Sequence, residues 1–220
     1  MRNFIMAIDG PAGSGKSTIA KILAERHSLT YLDTGAMYRM VALYFLENNV
    51  DLDNDAEVRI NLAKIVLDID KNRFMMNGKD VSEEIRTPRV SGLVSFVARI
   101  KRVRERLVEL QREISYGKNV VLDGRDIGTV VFPNADLKIF LVASPEERAK
   151  RRLKEYGEKG VKEDYESVLN NIKERDLIDS TRAESPLKKA EDAVEIDTSF
   201  MTIDEVTEEI SRLVKEKTGE

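Results

Sequence analysis

The sequence predicts an α/β fold in which a five-stranded parallel sheet lies between two layers of helices. Five short apolar runs alternate with segments of helical periodicity along the 220 residues. The runs are nearly continuous in apolar residues, which is typical of parallel strands that are buried on both faces. Each parallel connection needs a crossover, and the helical segments between the runs supply it.

The N-terminal part contains the first two strand and helix pairs. The run from Phe4 to Ile8 ends at Asp9-Gly10, as expected of a buried strand entering a turn, and helical spacing follows from Lys16 to about Arg26. Tyr31-Leu32 is a second strand candidate. Asp33-Thr34 comes directly after it and is well placed to cap the next helix.

The pattern changes from about Asp68. Asn77-Gly78 lies between short apolar stretches and predicts a hairpin, because both residue types accept the positive φ angles of a type I′ turn. We therefore expect a small inserted β element over about residues 63–88. Helical periodicity returns from Ser91 to Ile114.

The C-terminal half contains the remaining strand candidates and a highly charged, mostly helical region. The strands are expected at Asn119–Leu122, Leu137–Ala143 and Ala193–Ile196, and the charged region spans residues 144–189. Thr202 and Glu205 have the spacing of a capping box, which predicts the start of the last helix.

Composition narrows the classes of protein to consider. The formal net charge of −4 gives no reason to expect nucleic acid or an anionic membrane as a partner. No apolar run approaches the ~20 residues of a membrane-spanning helix, and no signal peptide is expected, so the predicted compartment is the cytoplasm. The absence of Cys and the single His exclude disulfides, thiolate nucleophiles and metal centres built from those residues.

Residues 10–17 match the phosphate-binding pattern G-x-x-x-x-G-K-[ST] without a mismatch, directly after a predicted strand and at the start of a predicted helix. Glycines let main-chain N–H groups point inward around a phosphate at the positive end of the helix. Lys16 is expected to bridge the β- and γ-phosphates of ATP, and the Ser17 hydroxyl to hold Mg²⁺. A glycine-rich turn without a ligand is the alternative. The predicted ATP-binding residues are Gly10, Pro11, Ala12, Gly13, Ser14, Gly15, Lys16, Ser17 and Thr18.

A site for a nucleoside triphosphate is compatible with several activities. The chain lacks the Asn-Lys-x-Asp sequence that reads guanine in GTP switches, and large motor ATPases usually need a longer chain. A small core with inserted, charge-rich segments suits a phosphotransferase, which must enclose two substrates and exclude water.

Arginines at strand ends and in the charged region indicate an anionic acceptor. Arg125 lies just past the carboxyl end of a predicted strand, at the edge of the sheet where open α/β folds bind ligands. Two sets of side chains each share one helical face by their spacing, namely Arg148, Arg151 and Arg152, and Arg175, Asp179 and Arg182. A solvated face of salt bridges is the alternative interpretation of both sets.

Six segments resemble bacterial cytidylate kinases, in the same order and spacing, over nearly the whole chain. They are IDGPAGSGKS, LDTGAMYR, DVSEEIRT, DGRDIGTVVFP, KIFLVASPEERAKRR, and IKERD followed by Arg182. The most diagnostic are DGRDIGTVVFP and EEIRT, because many families share the phosphate-binding loop.

The resemblance implies the fold of the P-loop nucleoside monophosphate kinases, which is similar to that of adenylate kinase, with a small β insert and a helical lid. The core is then expected over residues 1–33, 115–147 and 183–220, and the monophosphate-binding region over 34–114. The lid is expected over about residues 148–166, and the insert coincides with the predicted hairpin.

The resemblance also implies roles for residues at matching positions. The acceptor phosphate is assigned to Arg39 and Arg125 with Arg182 close by, and Thr34 stands where relatives often have Ser. The cytosine readers are Ser95, Arg104 and Asp126, and the residues near the ribose are Arg175 and Asp179. A carboxylate and a guanidinium can read opposite sides of the cytosine edge, and such a site should reject uracil.

Ser95 and Arg104 impose a geometric condition on this assignment. They are nine residues apart and would lie on opposite faces of a continuous helix. The helix must therefore break between them if both are to contact one base. Relatives often have Pro at the position of Lys101, so a break in this chain would depend on tertiary packing.

The implied reaction is ATP + (d)CMP ⇌ ADP + (d)CDP by in-line transfer, with Mg²⁺ bound together with ATP. Catalysis would come from alignment and positive charge, supplied by Lys16, Arg39, Arg125, Arg148 and Arg152. Asp123 is either an outer-shell residue that orders Mg²⁺ or a structural residue at a strand end. We expect a monomer. The alternatives are a kinase for UMP or another small phosphorylated acceptor, and a nucleotide-dependent regulatory module.

Overall fold

The computed structural model describes residues 3–70, 73–158 and 160–219. The described strands are β1 (Ile5–Asp9), β2 (Thr30–Asp33), β3 (Leu67–Asp70), β4 (Arg73–Met76), β5 (Lys79–Asp80), β6 (Val120–Gly124), β7 (Leu137–Val142) and β8 (Val194–Asp197). The described helices are α1 (Lys16–Arg26), α2 (Thr34–Glu47), α3 (Asp55–Leu62), α4 (Pro88–Ala98), α5 (Lys101–Ser115), α6 (Pro145–Glu158), α7 (Tyr165–Thr181) and α8 (Ile203–Thr218). None of the helices within the described residues is long and apolar enough to cross a membrane.

The chain forms two compact units. The first contains the residues up to Leu32 together with those from Ser115 onward, and the second is Asp33–Ile114. The first unit is built on a five-stranded sheet in the order β2-β6-β1-β7-β8. The central strand β1 pairs in parallel with both β6 and β7, and β7 pairs in parallel with β8. The predicted fold class is confirmed.

The core of the first unit lies between the sheet and the helices α1 and α8. Apolar side chains of the central strands, including Met6, Ile8, Ile139 and Leu141, pack with those of the two helices. The predicted capping box at Thr202 and Glu205 starts α8. A separate small cluster, formed by Ala149, Val168, Leu169 and Ile172, joins α6 to α7.

The register of β1 with β6 determines where the loops that follow these two strands leave the sheet. Ile8 lies opposite Asp123, and Asp9 lies opposite Gly124. The two strands therefore end side by side at the same edge. Open α/β sheets place their ligands at the carboxyl ends of such strands.

The second unit combines α2, α3, α4 and α5 with an antiparallel sheet of β3, β4 and β5. The predicted hairpin turn is present between β4 and β5, where Asn77 and Gly78 both have positive φ angles of 51° and 80°. The predicted helix cap is also present, because Asp33 accepts a hydrogen bond from the Ala36 N–H at 2.7 Å. The helical segment predicted from Ser91 begins three residues earlier, at Pro88, with Thr87 as its cap.

Candidate active site

The loop after β1, residues Gly10–Ser17, has a main-chain shape that requires glycine, and we call it the phosphate loop. Gly10 has φ 147°, and a Cβ atom there would lie 2.1 Å from the carbonyl oxygen of Leu141. Gly13 and Gly15 have φ angles of 79° and 90°, in the left-handed region that glycine adopts without a steric penalty. The loop ends at the N-terminus of α1, where main-chain N–H groups favour an anion.

Lys16 is the first residue of α1 and is buried. Its Nζ donates to the carbonyl oxygen of Pro11 at 2.6 Å and to Ser14 Oγ at 3.3 Å. Burial lowers the pKa of Lys16 well below its usual value, and the charge of Arg125 acts in the same direction. The carboxylates of Asp123, Asp9 and Asp179 oppose that shift. A polyphosphate would supply the additional negative charge that this ammonium group needs.

Ser17 and Tyr31 both hydrogen-bond to the carboxylate of Asp123 at the end of β6. The Ser17 hydroxyl donates to Oδ2 at 2.7 Å, and the Tyr31 hydroxyl donates to Oδ1 at 2.8 Å. A serine hydroxyl beside a buried carboxylate presents the hard oxygen ligands that Mg²⁺ prefers, so these residues fit a nucleotide-bound magnesium ion.

The three arginines of α6 have different surroundings. Arg148 is buried, donates to the carbonyl oxygens of Ala12 and Ala143, and forms a two-point ion pair with Asp176 of α7, with its shortest contact at 2.6 Å. Arg151 binds the Thr198 carbonyl at 2.5 Å. Arg152 is one quarter exposed and pairs with Glu155 of its own helix at 3.4 Å. Of the two predicted catalytic arginines on α6, Arg148 thus stabilises the phosphate loop through its hydrogen bond to Ala12.

A second cluster of charge, which we call the guanidinium cluster, consists of Arg125, Arg175, Asp179 and Arg182. Arg125 Nε donates to Asp179 Oδ2 at 2.9 Å, and Arg182 Nη1 lies 3.7 Å from Asp179 Oδ1. Burial raises the pKa of Asp179, but the charges of Arg125, Arg182 and Arg175 together hold it below its usual value. Because Arg125 and Asp179 also influence the pKa of Lys16, the cluster lies within electrostatic reach of the phosphate loop.

The segment that follows Arg125, residues 124–133, is here called the Arg125 loop. Asp126 is buried, and a π-helical turn follows from Ile127 to Val131. The carboxylate of Asp9 accepts the main-chain N–H groups of Ile127 and Gly128 at 2.8 and 2.7 Å. Burial raises the pKa of Asp9 to about 7, although both of these hydrogen bonds lower it.

In the second unit, Thr34 and Arg39 lie on α2. Thr34 is buried in the first turn, and Arg39 Nη2 donates to both carboxylate oxygens of Asp33, at 3.2 and 3.0 Å. Asp33 therefore caps the helix and also orients the guanidinium of Arg39. Arg86, from the EEIRT segment, approaches the same carboxylate at 3.9 Å.

Ser95 and Arg104 lie on two different helices, because α4 ends at Ala98 and α5 begins at Lys101. The predicted break is thus present without a proline. Arg104 itself contributes to it, since its Nη1 donates to the carbonyl oxygen of Ala98 at 3.1 Å. Its guanidinium also lies over the Tyr38 ring, 5.3 Å from the centroid. Ser95 and Arg104 are both buried.

Sequence reasoning missed several residues in and around the predicted site, among them Asp9, Tyr31, Asp176 and Thr198. Asp9 carried a usable signal, because a carboxylate between a buried strand and a glycine-rich loop must find hydrogen-bond donors. Tyr31 was noted only as part of a strand, and its contact with Asp123 joins residues 92 positions apart. The contacts of Asp176 and Thr198 likewise depend on how distant elements pack, so spacing alone could not reveal them.

Comparison with known proteins identifies the family. The family profile named Cytidylate kinase matches residues 6–216. A cytidylate kinase from Fusobacterium nucleatum is 58% identical over 215 residues, which cover 98% of this chain and 99% of the relative. A second one, from Thermosipho melanesiensis, is 52% identical over 212 residues, covering 96% and 97%.

A solved structure of an uncharacterized protein from Eubacterium ventriosum has the same fold. It aligns with a TM-score of 0.53 at 16% identity and covers 98% of this chain and 99% of its own. The sequence matches carry the assignment further than the fold does, since they reach 58% and 52% identity over nearly the whole chain, against 16% for the solved structure. The chain belongs to the cytidylate kinase family.

Proposed function

We propose that this protein transfers the γ-phosphoryl group of ATP to CMP and dCMP, with ADP and CDP or dCDP as products. The observation that carries the proposal is the pair of anion sites at neighbouring strand ends. The phosphate loop leaves β1 and the Arg125 loop leaves β6 at the same edge of the sheet. The full-length similarity to cytidylate kinases supports the same acceptor.

The phosphate loop is the proposed ATP site. Its main-chain N–H groups and Lys16 bind the β- and γ-phosphates, and residues Gly10 to Thr18 line it. Mg²⁺ bound with the nucleotide would be held by Ser17, with Asp123 in the outer shell, and would supply positive charge to the transferred phosphoryl group. The Asp123 carboxylate orients the Ser17 hydroxyl through the 2.7 Å hydrogen bond.

The proposed contacts with CMP fall into three groups, to the phosphate, the ribose and the base. Arg125 and Arg182 bind the acceptor phosphate, and Arg175 with Asp179 contacts the ribose. Arg39 is also assigned to the acceptor phosphate, and Thr34 to CMP binding. Asp126, Ser95 and Arg104 read the cytosine edge, because a carboxylate accepts from the N4 amine while a guanidinium donates to N3 or O2.

The transfer needs little proton chemistry from the protein. The acceptor is a phosphate monoester whose second pKa is about 6, so it is largely ionised at neutral pH. Alignment and positive charge therefore provide most of the catalysis, from Lys16, Arg39, Arg125, Arg148 and Arg152. Arg148 contributes indirectly, because its hydrogen bond to Ala12 holds the phosphate loop in place. Arg152 is partly exposed and is the arginine that would approach the nucleotide directly.

We assign the core to residues 1–33, 115–147 and 183–220, the monophosphate-binding region to 34–114 with the insert at about 63–88, and the lid to about 148–166. The second compact unit, Asp33–Ile114, supports the bounds of the monophosphate-binding region. A monomer in the cytoplasm remains our expectation.

A coupled assay of ADP release across CMP, dCMP, UMP and AMP tests the proposal. We expect turnover with CMP and dCMP, and a kcat/KM for UMP that is lower by about a hundredfold or more, because uracil would leave buried polar groups unpaired. Comparable constants for UMP and CMP would mean that the base-reading assignment is wrong. Slow ATP hydrolysis that CMP does not change would instead favour a regulatory module.

A further inference from the structure

We infer that Asp9 is a positioning residue for phosphoryl transfer, because its carboxylate joins the phosphate loop to the Arg125 loop. The inference rests on the proposed function, in which these two loops hold the donor and the acceptor. Asp9 itself is not expected to contact either substrate.

Asp9 is the last residue of β1 and directly precedes Gly10, the first residue of the phosphate loop. Each of its two carboxylate oxygens accepts one main-chain N–H group of the Arg125 loop, Oδ1 from Ile127 at 2.8 Å and Oδ2 from Gly128 at 2.7 Å. The side chain is 5% exposed. Both acceptors are thus used within the protein, and the donors lie two and three residues after Arg125.

The far end of the Arg125 loop has its own anchor. Lys138 of β7 is buried, and its Nζ donates to the carbonyl oxygen of Pro133 at 2.6 Å and to Asp192 at 2.8 Å. The Lys138 side chain also packs against Gly128, where an added Cβ would lie 3.0 Å from its Cδ. Asp9 therefore holds the end of the loop that lies nearer Arg125, and it is the anchor that is continuous with the phosphate loop.

The ionised carboxylate is required for this contact. A protonated carboxyl group would turn an O–H towards one of the two N–H groups and leave that donor unsatisfied. Burial, together with the smaller effect of the Asp126 charge, raises the pKa of Asp9 from 3.8 to about 7, against the two main-chain hydrogen bonds and Lys16, which lower it. The folded state then binds a proton more tightly than the unfolded chain, so ionising Asp9 costs stability as the pH rises from about 4 to about 7.

The two hydrogen bonds to the Arg125 loop partly offset this cost. A neutral residue would avoid the burial of charge, but it could not accept both N–H groups. Loss of either hydrogen bond would release the segment that carries Arg125 and Asp126. A displacement of about 1 Å in a positioned group is enough to reduce a rate by about a hundredfold.

The substitution Asp9→Asn tests the inference, because it keeps the shape of the side chain but replaces one acceptor with a donor. We expect kcat/KM for CMP to fall by about tenfold or more. The matched control is Asp136→Asn at the opposite end of β1, where Asp136 Oδ2 accepts the Ile5 N–H at 2.8 Å. The control should keep both kinetic constants within about twofold, since it also removes a carboxylate that anchors the main chain, but at the end of β1 opposite the one from which the phosphate loop leaves.

The pH profile separates positioning from general damage to the fold. In the wild type, kcat/KM for CMP should fall on the acid side through a group of pKa about 7, in addition to the second pKa of the CMP phosphate at about 6. In Asp9→Asn only the limb near pH 6 should remain. Lys16 and Asp126 face the same carboxylate and are present in both proteins, so they do not account for the difference.

An unchanged kcat/KM in Asp9→Asn, an unchanged acid limb, or an equal loss in Asp136→Asn would each overturn the inference. If Asp9→Asn does not fold, NMR of the wild type provides the test, because the amide proton shifts of Ile127 and Gly128 should titrate together near pH 7. Their failure to titrate would also overturn it. A wild type that does not phosphorylate CMP would refute the proposed function instead, and the same amide titration would still test the Asp9 contact.

Discussion

The phosphate loop and the guanidinium cluster are the two proposed anion sites, but they are built in opposite ways. The phosphate loop is a continuous stretch of main chain whose shape depends on glycines with positive φ angles. The guanidinium cluster consists of side chains from two elements, and its central contact joins residues 54 positions apart. One site is a property of local sequence, whereas the other exists only in the folded unit.

The two sites also differ in what offsets their positive charge when no substrate is bound. Main-chain N–H groups attract phosphate without a net charge, so in the phosphate loop only Lys16 carries a burial cost. Three arginines placed together repel one another, and Asp179 offsets this repulsion. Removing the Lys16 charge should therefore leave the stability of the fold unchanged but should abolish most of the catalysis. The guanidinium cluster should lose both affinity and stability when its charges are altered.

Lys16→Ala should have the largest effect, a reduction of about a thousandfold or more in kcat, because it removes the charge that follows the transferred phosphoryl group. The melting temperature should not fall, since burial already lowers the pKa of this ammonium group. Steady-state kinetics and thermal melts check both parts. The control is Lys215→Ala, which removes an exposed lysine of α8. A kcat within tenfold of the wild type would contradict the role of Lys16.

Arg125→Ala should raise KM for CMP by about a hundredfold while KM for ATP stays within about threefold, because a charged hydrogen bond to the acceptor phosphate is lost. The matched control is Arg26→Ala, which removes an arginine whose partner, Glu208, lies at the surface. Unchanged constants for CMP would refute the assignment of Arg125. A similar rise in both KM values would point to displacement of the phosphate loop.

Asp179→Asn should have the smallest effect, visible as a change in the pH dependence of stability. The pKa of Asp179 is lowered in the folded protein, so its contribution is complete above about pH 4 and is lost as the pH falls through the folded value. The variant should melt about 3–8 °C below the wild type at pH 7, and the difference should shrink at pH 3. Asp164→Asn, at the exposed N-terminus of the same helix, is the control, since Asn caps a helix as well as Asp. An equal difference in melting temperature at both pH values would contradict the stabilising role of Asp179 in the guanidinium cluster.

Features that depend on neighbouring residues could be predicted closely. The phosphate loop, the helix cap at Asp33, the turn at Asn77-Gly78 and the capping box at Thr202 each arise from a short pattern with one low-energy conformation. The break between α4 and α5 was predicted for a different reason. It followed from requiring Ser95 and Arg104 to contact one base, and only the structure shows that Arg104 helps to stabilise it.

The surroundings of the arginines could not be predicted in the same way. Spacing placed Arg148, Arg151 and Arg152 on one face of α6, but it could not show that Arg148 binds Ala12 and Asp176 while Arg152 pairs within its own helix. Helical spacing specifies the direction of a side chain relative to its neighbours on the helix. It does not specify which distant element lies in that direction.

The amino-acid sequence alone determined the class of fold, the position and shape of the phosphate loop and the residue types available to an anionic acceptor. The tertiary structure decided which of those residues are in contact. In particular, it decided that Asp9 accepts hydrogen bonds from the Arg125 loop and that Asp179 pairs with both Arg125 and Arg182. The physical reason is that φ preferences and helix periodicity act over a few residues. Contacts between residues more than 50 positions apart depend instead on the order β2-β6-β1-β7-β8, which places the ends of β1 and β6 side by side.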